Sequence, residues 1–225
     1  MINKEKLVSV AVLVLVAGAV TALAYFGYNK TNSPVAVEGV AKVNGETITK
    51  SVFDAQLASA ILSLKTQGVD TESADSLAKI RTQVMEDLIN NELVLQGVAK
   101  AGITISAEEV EKQFQILVAQ AGGADKLKEQ LTAANLTEEQ FRANISKQLS
   151  IQAYLLRNID IASATATDAE AQQFYDTNVK GQTGAPAYKD IVEQIKQQII
   201  GSKQQLLVNT FIASLRAAAE VETNL

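Results

Sequence analysis

Residues 77–100, LAKIRTQVMEDLINNELVLQGVAK, are followed by Ala101-Gly102 and decide how the rest of the chain is interpreted. At about 100° per residue, their apolar side chains recur on one face of a helix. Ser73 is a suitable N-cap, and Gly102 can adopt the left-handed conformation that ends a helix. The segment therefore predicts one long amphipathic helix, with a main stripe of Leu77, Ile80, Val84, Leu88, Leu95 and Val98.

The composition favours a helical protein with an acidic surface. The chain has 225 residues, of which 47% are hydrophobic, and it contains only 2 prolines and 5% aromatic residues. That length allows one or two domains with a sizeable core, and few prolines together with many good helix formers indicate a mainly α fold. A net charge of -5 argues against a nucleic-acid partner, because nothing dense and basic is present to neutralise phosphates.

Two residue types with important chemistry are absent from the sequence, which contains 0 cysteines and 0 histidines. The first absence excludes disulfides, thiol nucleophiles and thiolate metal sites. The second removes the usual proton-transfer group near neutral pH and the commonest ligand of transition metals. Catalysis by other side chains remains possible in principle, although the usual catalytic constellations lose their central member.

The N-terminal residues 1–28 have the pattern of a membrane-directing segment. Two lysines precede an uncharged apolar run, residues 7–28, which as a helix would be about 33 Å long, close to the hydrocarbon thickness of ~30 Å. Two interpretations stay open: a retained signal anchor, which the length and the aromatic residues at its end favour, or a signal peptide cleaved after Ala24. Either places residues after about 29 on the extracytoplasmic side, with residues 29–38 as a linker.

The body of the chain, residues 39–225, is predicted to begin with a β-hairpin. Two short β-prone runs flank Asn44-Gly45, the pair that suits a type I′ turn. A helix capped by Thr49 or Ser51 follows and ends near Gly68, before the long helix. The apolar residues assigned to it are Val52, Phe53, Leu57, Ile61, Leu62 and Leu64.

Capping boxes mark the later helices. Ser106, Thr137 and Thr167 are each followed three residues later by Glu or Gln, a pattern typical of helix starts. A short helix at about 125–134 lies between the first two. After a connection at 179–186, we expect a closing helix over about 187–217, interrupted weakly at Gly201, and a strand within 221–225.

The acidic clusters are interpreted as helix caps and not as catalytic or metal-binding pairs. They lie in first helical turns, where negative charge interacts favourably with the helix dipole. No alternating carboxylates resemble a calcium loop, and no glycine-rich segment has the setting of a phosphate site, so the sequence predicts no cofactor. The residues concerned are Glu108, Glu109, Glu111, Glu138, Glu139, Asp168 and Glu170.

Four apolar residues lie away from the main stripes of their helices: Ile89, Leu93, Ile116 and Tyr154. Scattered exposed apolar residues are ordinary in soluble proteins. If the four converge on one concavity, however, they would form a surface for binding a peptide. We therefore treat them as candidate peptide-binding residues, with scattered exposed apolar residues as the alternative.

Several of these segments together resemble the N-terminal domain of the SurA and PrsA type of extracytoplasmic folding factors. The hairpin and first helix, VAKVNGETITKSVFDAQL, match the family's opening, and VMEDLINNELVLQGVAKAGITISAEEVEKQF matches its long helix and the next helix start. TEEQFRANISKQLSIQAYLLRNI and TDAEAQQFYDTN follow in the family's order. The resemblance covers about 37–178, and the terminal helix and strand are similar to the family's closing elements.

The resemblance implies a mainly α, multi-helix SurA N-terminal-like or trigger-factor peptide-binding fold with a small β-hairpin, whose last helix returns to the first helices. Many relatives insert a parvulin prolyl isomerase domain that uses histidines. The connection 179–186 is too short for it. The resemblance thus implies the chaperone module alone, not an enzyme.

The expected function is that of a membrane-tethered or secreted, ATP-independent chaperone for unfolded exported polypeptides. The membrane would be contacted through the N-terminal helix. An alternative is a structural adaptor or assembly subunit that binds one fixed membrane or envelope partner. A diverged peptidyl-prolyl isomerase is the third and least favoured hypothesis.

Overall fold

The computed structural model describes residues 38–224. It has seven α-helices and three strands within that range. In chain order these are β1 (Gly39–Val43), β2 (Glu46–Thr49), α1 (Lys50–Thr66), α2 (Ala74–Lys100), α3 (Ala107–Ala121), α4 (Ala124–Ala133), α5 (Glu138–Asn158), α6 (Asp168–Asn178), α7 (Tyr188–Ala217) and β3 (Val221–Thr223), with a short 3-10 turn at Ile161–Ser163.

The predicted hairpin and the predicted C-terminal strand are both present in one antiparallel sheet of order β2-β1-β3. At the hairpin turn, Asn44 has φ 51° and Gly45 has φ 86°, the positive values that a type I′ turn requires. Strand β3 pairs with β1, with Val221 opposite Val43. The Asn44 backbone N–H donates to Glu220 O over 2.8 Å, so the hairpin turn also holds the C-terminal segment.

The helix ends follow the capping residues of the sequence. Thr49 accepts a hydrogen bond from Val52 N at the start of α1, and Ser73 caps α2. Both Ser106 and Thr167 form complete capping boxes, and Thr137 forms the same pair of bonds with Gln140. These reciprocal bonds satisfy N–H groups that lack partners in the first turn, which is why the predicted starts agree with the structure.

The described residues divide into two compact units, one of residues 155–213 and the other of residues 38–154 with 214–224. In the larger unit, one core joins the sheet with α1 and α2. Its most deeply buried members are Val43, Phe53 and Ile89. A second cluster joins α3, α4 and α5, with Phe114, Leu127, Leu131 and Ile145 buried.

The C-terminal end of α7 packs within the larger unit, as the resemblance implied. Leu215, Ala219 and Val221 contact the core formed by the sheet, α1 and α2. Arg216 forms a two-bond ion pair with Glu86 of α2, and its Nη2 lies 3.1 Å from Glu86 Oε1. Planar guanidinium and carboxylate groups are well matched for such paired bonds. The chain's last helix is thereby tied to the long helix near its middle.

The smaller unit contains α6 and most of α7, joined by the connection at residues 179–187. The Tyr175 and Tyr188 rings pack edge to face with centroids 5.4 Å apart. Tyr175 Oη donates to Pro186 O over 2.9 Å and Tyr188 Oη to Asp168 O over 3.3 Å. These contacts order the glycine-rich connection against both helices.

The predicted weak interruption at Gly201 is absent: α7 is one continuous helix of 30 residues, and among residues 38–224 no packing contact requires a glycine at this position. A Cβ built there has no atom within 4 Å, and Gly201 is not among the glycines with positive φ. Because alanine restricts the unfolded chain and favours helix, we expect Gly201→Ala to raise the free energy of unfolding by about 0.5–1 kcal/mol. Urea denaturation followed by circular dichroism measures it; a lower midpoint would contradict this expectation.

The predicted leader at 1–28, the cleavage site after Ala24 and most of the linker at 29–38 lie outside the described residues. Within residues 38–224, none of the helices combines the length and apolar character needed to cross a membrane. The assignment of residues 39–225 to one helical domain stays a prediction.

Candidate functional site

The structure buries three of the four candidate peptide-binding residues. Ile89 is 0% exposed and Leu93 is 4% exposed, and both belong to the core of the sheet, α1 and α2. Tyr154 is 8% exposed, and its ring tip lies 2.4 Å from the position a Cβ would take at Gly97. The expectation that these three lie on an accessible surface is therefore wrong.

The physical reason is the width of the buried face of α2. The helix packs against both β1 and α1, so residues on either side of the main stripe are enclosed. Leu95, which the stripe included, is only half-buried, whereas Met85, Ile89 and Leu93 are buried. Helical periodicity gives the direction in which a side chain points about the helix axis. Which side chains are buried depends on the elements that pack against the helix.

Ile116 on α3 is 43% exposed, as its position off the stripe predicted. Since Ile89, Leu93 and Tyr154 are buried, the four residues do not form one exposed patch. Their contact with a peptide stays a prediction, and burial gives no support to it for those three.

An apolar surface that the sequence analysis missed lies on α1 and the turn after it. Leu62 is 66% exposed and Val69 is 48% exposed. Although α1 is rich in apolar residues, Phe53 is its single buried member, and Leu57, Ile61 and Leu64 remain half-buried. Leu57, Ile61 and Leu64 pack against the core, so we call the two exposed residues, Leu62 and Val69, the α1 apolar surface.

The turn after α1 holds this surface in place. Val69 N donates to Leu64 O over 3.0 Å, and Gly68 has φ 76°, so the chain folds back on the last turn of the helix. The ion pair Lys65–Glu72, 3.4 Å long, lies in the same turn. Counting about 100° per residue places Leu62 roughly 140° from Leu57, a signal that the sequence contained.

The cluster of α3, α4 and α5 provides a second surface of incompletely buried apolar groups. Val110, Leu117, Phe141 and Leu149 are among its half-buried members. Arg142 covers one side of the cluster, with Cζ 3.8 Å from the Phe114 ring centroid. A guanidinium over an aromatic face is a favourable cation–π contact that also shields the ring from water.

The acidic residues at helix starts serve as caps and ion-pair partners, which confirms their interpretation for Glu109 and Glu170. Hydrogen bonds from the Ser106 side chain and backbone lower the pKa of Glu109. The Lys203 ammonium, and then the Thr167 backbone N–H, lower the pKa of Glu170 to about 2. Both carboxyl groups are therefore ionised at neutral pH. Among residues 38–224, no three acidic side chains are grouped to hold a metal ion.

Lys147 on α5 is the cation whose environment differs most from water. Burial lowers its pKa, while the charge of Glu92 on α2 opposes that shift. Glu92 also accepts from Gln96 Nε2 over 2.9 Å, and Gln96 Oε1 accepts from Asn44 Nδ2 over 2.8 Å. This polar network connects α2 with the hairpin turn and satisfies groups beside the core.

Comparisons with known proteins agree with this architecture. The family model described as the SurA-like N-terminal domain matches residues 1–155. The foldase protein PrsA of Clostridium perfringens is 29% identical over 161 residues, covering 66% of this chain and 45% of that protein. The corresponding protein of Clostridium kluyveri is 29% identical over 172 residues, covering 70% and 50%. The chain thus spans about half the length of these curated relatives.

Chaperone SurA of Chromobacterium violaceum is 32% identical over 136 residues, covering 60% of this chain and 30% of that protein. A solved structure from Campylobacter jejuni superposes with a TM-score of 0.55 at 16% identity, covering 83% of this chain and 98% of that one. It comes from work describing PEB4 and the periplasmic protein Cj1289 as structurally related SurA-like chaperones. At that identity the superposition shows the fold alone.

The family model covers more than half of the chain, and the superposed structure shares its fold. The resemblance carried by the hairpin, the long helix and the capping boxes is thereby confirmed. This chain belongs to the family of SurA-like N-terminal domains.

Proposed function

We propose that this protein is an ATP-independent chaperone that binds unfolded polypeptides on the extracytoplasmic side of a membrane. Its membership of the SurA-like N-terminal domain family supports a chaperone role. The observation that carries the proposal is the α1 apolar surface, where Leu62 and Val69 remain 66% and 48% exposed. These large apolar side chains are accessible to the apolar side chains of another chain.

The proposed mechanism is reversible burial of client side chains against this surface. Full burial of one aliphatic side chain contributes about 1.5–3 kcal/mol. Binding also costs several kcal/mol in lost motion, and micromolar affinity needs a net of about 8 kcal/mol, so many such contacts must form together even for moderate affinity. Weak contacts of this kind release the client without nucleotide hydrolysis. The net charge of -5 helps to keep the complex soluble.

The N-terminal segment is the basis for proposing that the protein lies on the extracytoplasmic side of a membrane. Residues 7–28 carry no charge and follow two lysines, which supports a signal anchor with the helical body outside the cytoplasm. Cleavage after Ala24 would release the same body from the membrane. Protease protection of spheroplasts, with N-terminal sequencing of the mature chain, distinguishes these two forms.

Suppression of aggregation tests the chaperone proposal. We expect the full-length chain in lipid nanodiscs, without nucleotide, to suppress aggregation of several chemically denatured clients and to saturate near equimolar amounts. Leu62→Glu combined with Val69→Glu should weaken suppression several-fold, because each carboxylate opposes burial of the surface. Empty nanodiscs and Ala119→Glu combined with Gln120→Glu are the controls; both positions are exposed on α3, and the double variant likewise introduces two glutamates.

Failure to suppress aggregation of any of several unrelated clients would contradict a general chaperone role. Equal loss in the control with glutamates at positions 119 and 120 would contradict the assignment of the α1 apolar surface. Binding to one fixed partner at a defined stoichiometry, without activity on denatured clients, would instead support the structural adaptor alternative.

We also propose that this chain has no prolyl isomerase activity. The connection between α6 and α7 at residues 179–187 is too short for a folded domain, and the sequence has 0 histidines. Uncatalysed isomerisation takes about tens to hundreds of seconds at 25 °C. We expect a proline-limited refolding assay to keep that rate when the chain is added, with a parvulin as the positive control. Acceleration that persists through repeated purification would contradict the proposal.

A further inference from the structure

Four glutamines surround Gly201 on α7. In residues 197–205, QQIIGSKQQ, the positions three and four residues before and after Gly201 are all glutamine. Residues at those spacings are neighbours on one face of a helix. A Cβ built at Gly201 would meet no atom within 4 Å. The helix therefore has open space over its main chain at Gly201, with side-chain amides on either side.

Gln204 is the buried member of this face. It is 6% exposed, and its side chain takes part in none of the hydrogen bonds found among residues 38–224. In the same part of the chain, every fully enclosed side-chain nitrogen or oxygen has a partner. The Gln204 amide must therefore retain part of the small accessible area of the residue. A largely covered amide that stays reachable and makes no hydrogen bond within the protein can give its donors and acceptor to a ligand.

The face carries no charge. The nearest lysines of α7 are held elsewhere: Lys196 Nζ lies 2.7 Å from the Asp168 carboxylate, and Lys203 Nζ lies 2.5 Å from that of Glu170. Lys203 Nζ also donates to Thr165 O over 2.8 Å. A charged ligand would find no counter-ion beside Gly201, so an uncharged hydrogen-bonding group fits the face better.

We propose that Gly201 and its glutamine neighbours bind the main chain of an extended segment of client polypeptide. This inference rests on the proposed chaperone function and assigns it a second site. A glutamine amide presents both an acceptor and donors, which complement the N–H and C=O of a peptide group. The missing side chain at Gly201 allows another backbone to approach closely. Recognition through the main chain does not depend on client sequence.

Two substitutions test the site on the full-length chain in lipid nanodiscs. Gly201→Leu fills the open space, and Gln204→Met removes the amide while keeping a similar volume. Ser202→Leu adds the same bulk at an exposed position about 100° round the helix and is the matched control. The probe is fluorescein-labelled α-lactalbumin that has been reduced and carbamidomethylated, and its Kd is measured by fluorescence anisotropy.

We expect each test substitution to raise the Kd at least about fivefold and the control to change it less than about twofold. Circular dichroism melting verifies that the variants stay folded. If Gly201→Leu does not fold, the Kd of the Gln204→Met variant alone tests the site. Unchanged affinity in the folded test variants, or an equal loss in the control, overturns the site but leaves the proposed function standing. A wild-type chain that does not bind the probe overturns both.

A crosslinking experiment tests where the client contacts the chain, without relying on a measured Kd. The sequence has 0 cysteines, so Gln198→Cys provides a single attachment point for a benzophenone photocrosslinker. We expect a higher yield of crosslinks to the unfolded probe from position 198 than from Lys128→Cys, an exposed position on α4. Equal yields at the two positions would count against the site.

Discussion

Replacing Phe53 with alanine is expected to lower the free energy of unfolding by about 3–5 kcal/mol. Phe53 is 1% exposed, is the single buried residue of α1, and lies in the core with the sheet and α2. The Arg81 guanidinium also lies over the Phe53 ring, with its Cζ 5.2 Å from the ring centroid. The substitution removes the apolar contacts, leaves a cavity and removes this cation–π contact.

Urea denaturation followed by circular dichroism measures this effect through the shift in midpoint. Leu62→Ala on the same helix is the matched control, because Leu62 is 66% exposed and its truncation should cost less than about 1 kcal/mol. Similar losses for the two variants would mean that α1 is not anchored through Phe53. A selective loss would show that α1 is held mainly from one side, leaving its apolar surface available.

Gly97→Ala is expected to destabilise the protein by about 1–3 kcal/mol, although alanine is the better helix former. A Cβ at position 97 would lie 2.4 Å from both Cζ and Oη of Tyr154. Tyr154 is 8% exposed, so its ring cannot move aside without disturbing neighbouring side chains. Glycine at this position leaves room for the Tyr154 ring of α5 to pack on α2.

The same substitution at Gly201 is the control, because it adds a methyl group where there is space and should stabilise the protein. Opposite signs at the two positions would separate the steric effect from helix propensity. Combining Gly97→Ala with Tyr154→Leu should give less destabilisation than the sum of the single changes, since the shorter side chain relieves the clash. Strict additivity would show that these two residues do not interact.

The burial of Tyr154 and Leu93 also changes how substitutions there should be interpreted. A glutamate at either position would place a charge in the core and unfold the larger unit, so loss of client binding would not locate a surface. Leu62 and Val69 are better positions for such variants because they are already exposed.

Local chemistry was sufficient to predict the elements of this fold. Asn44-Gly45 determined the hairpin turn, and Ser73, Ser106 and Thr167 determined helix starts, because each acts on backbone groups within a few residues. The order of helices followed from the same signals. That order, taken with the hairpin, was also enough to predict the family.

Only the tertiary structure decided which apolar residues are covered. Ile89 lies off the predicted stripe of α2, and Leu62 is one of the apolar residues predicted for α1, yet Ile89 is 0% exposed and Leu62 is 66% exposed. Periodicity describes a helix about its own axis, but burial depends on residues distant in the chain. Tyr154 packs on Gly97, which lies 57 positions earlier in the chain. The accessible surface, and with it the candidate site, was therefore determined by packing that no local pattern contains.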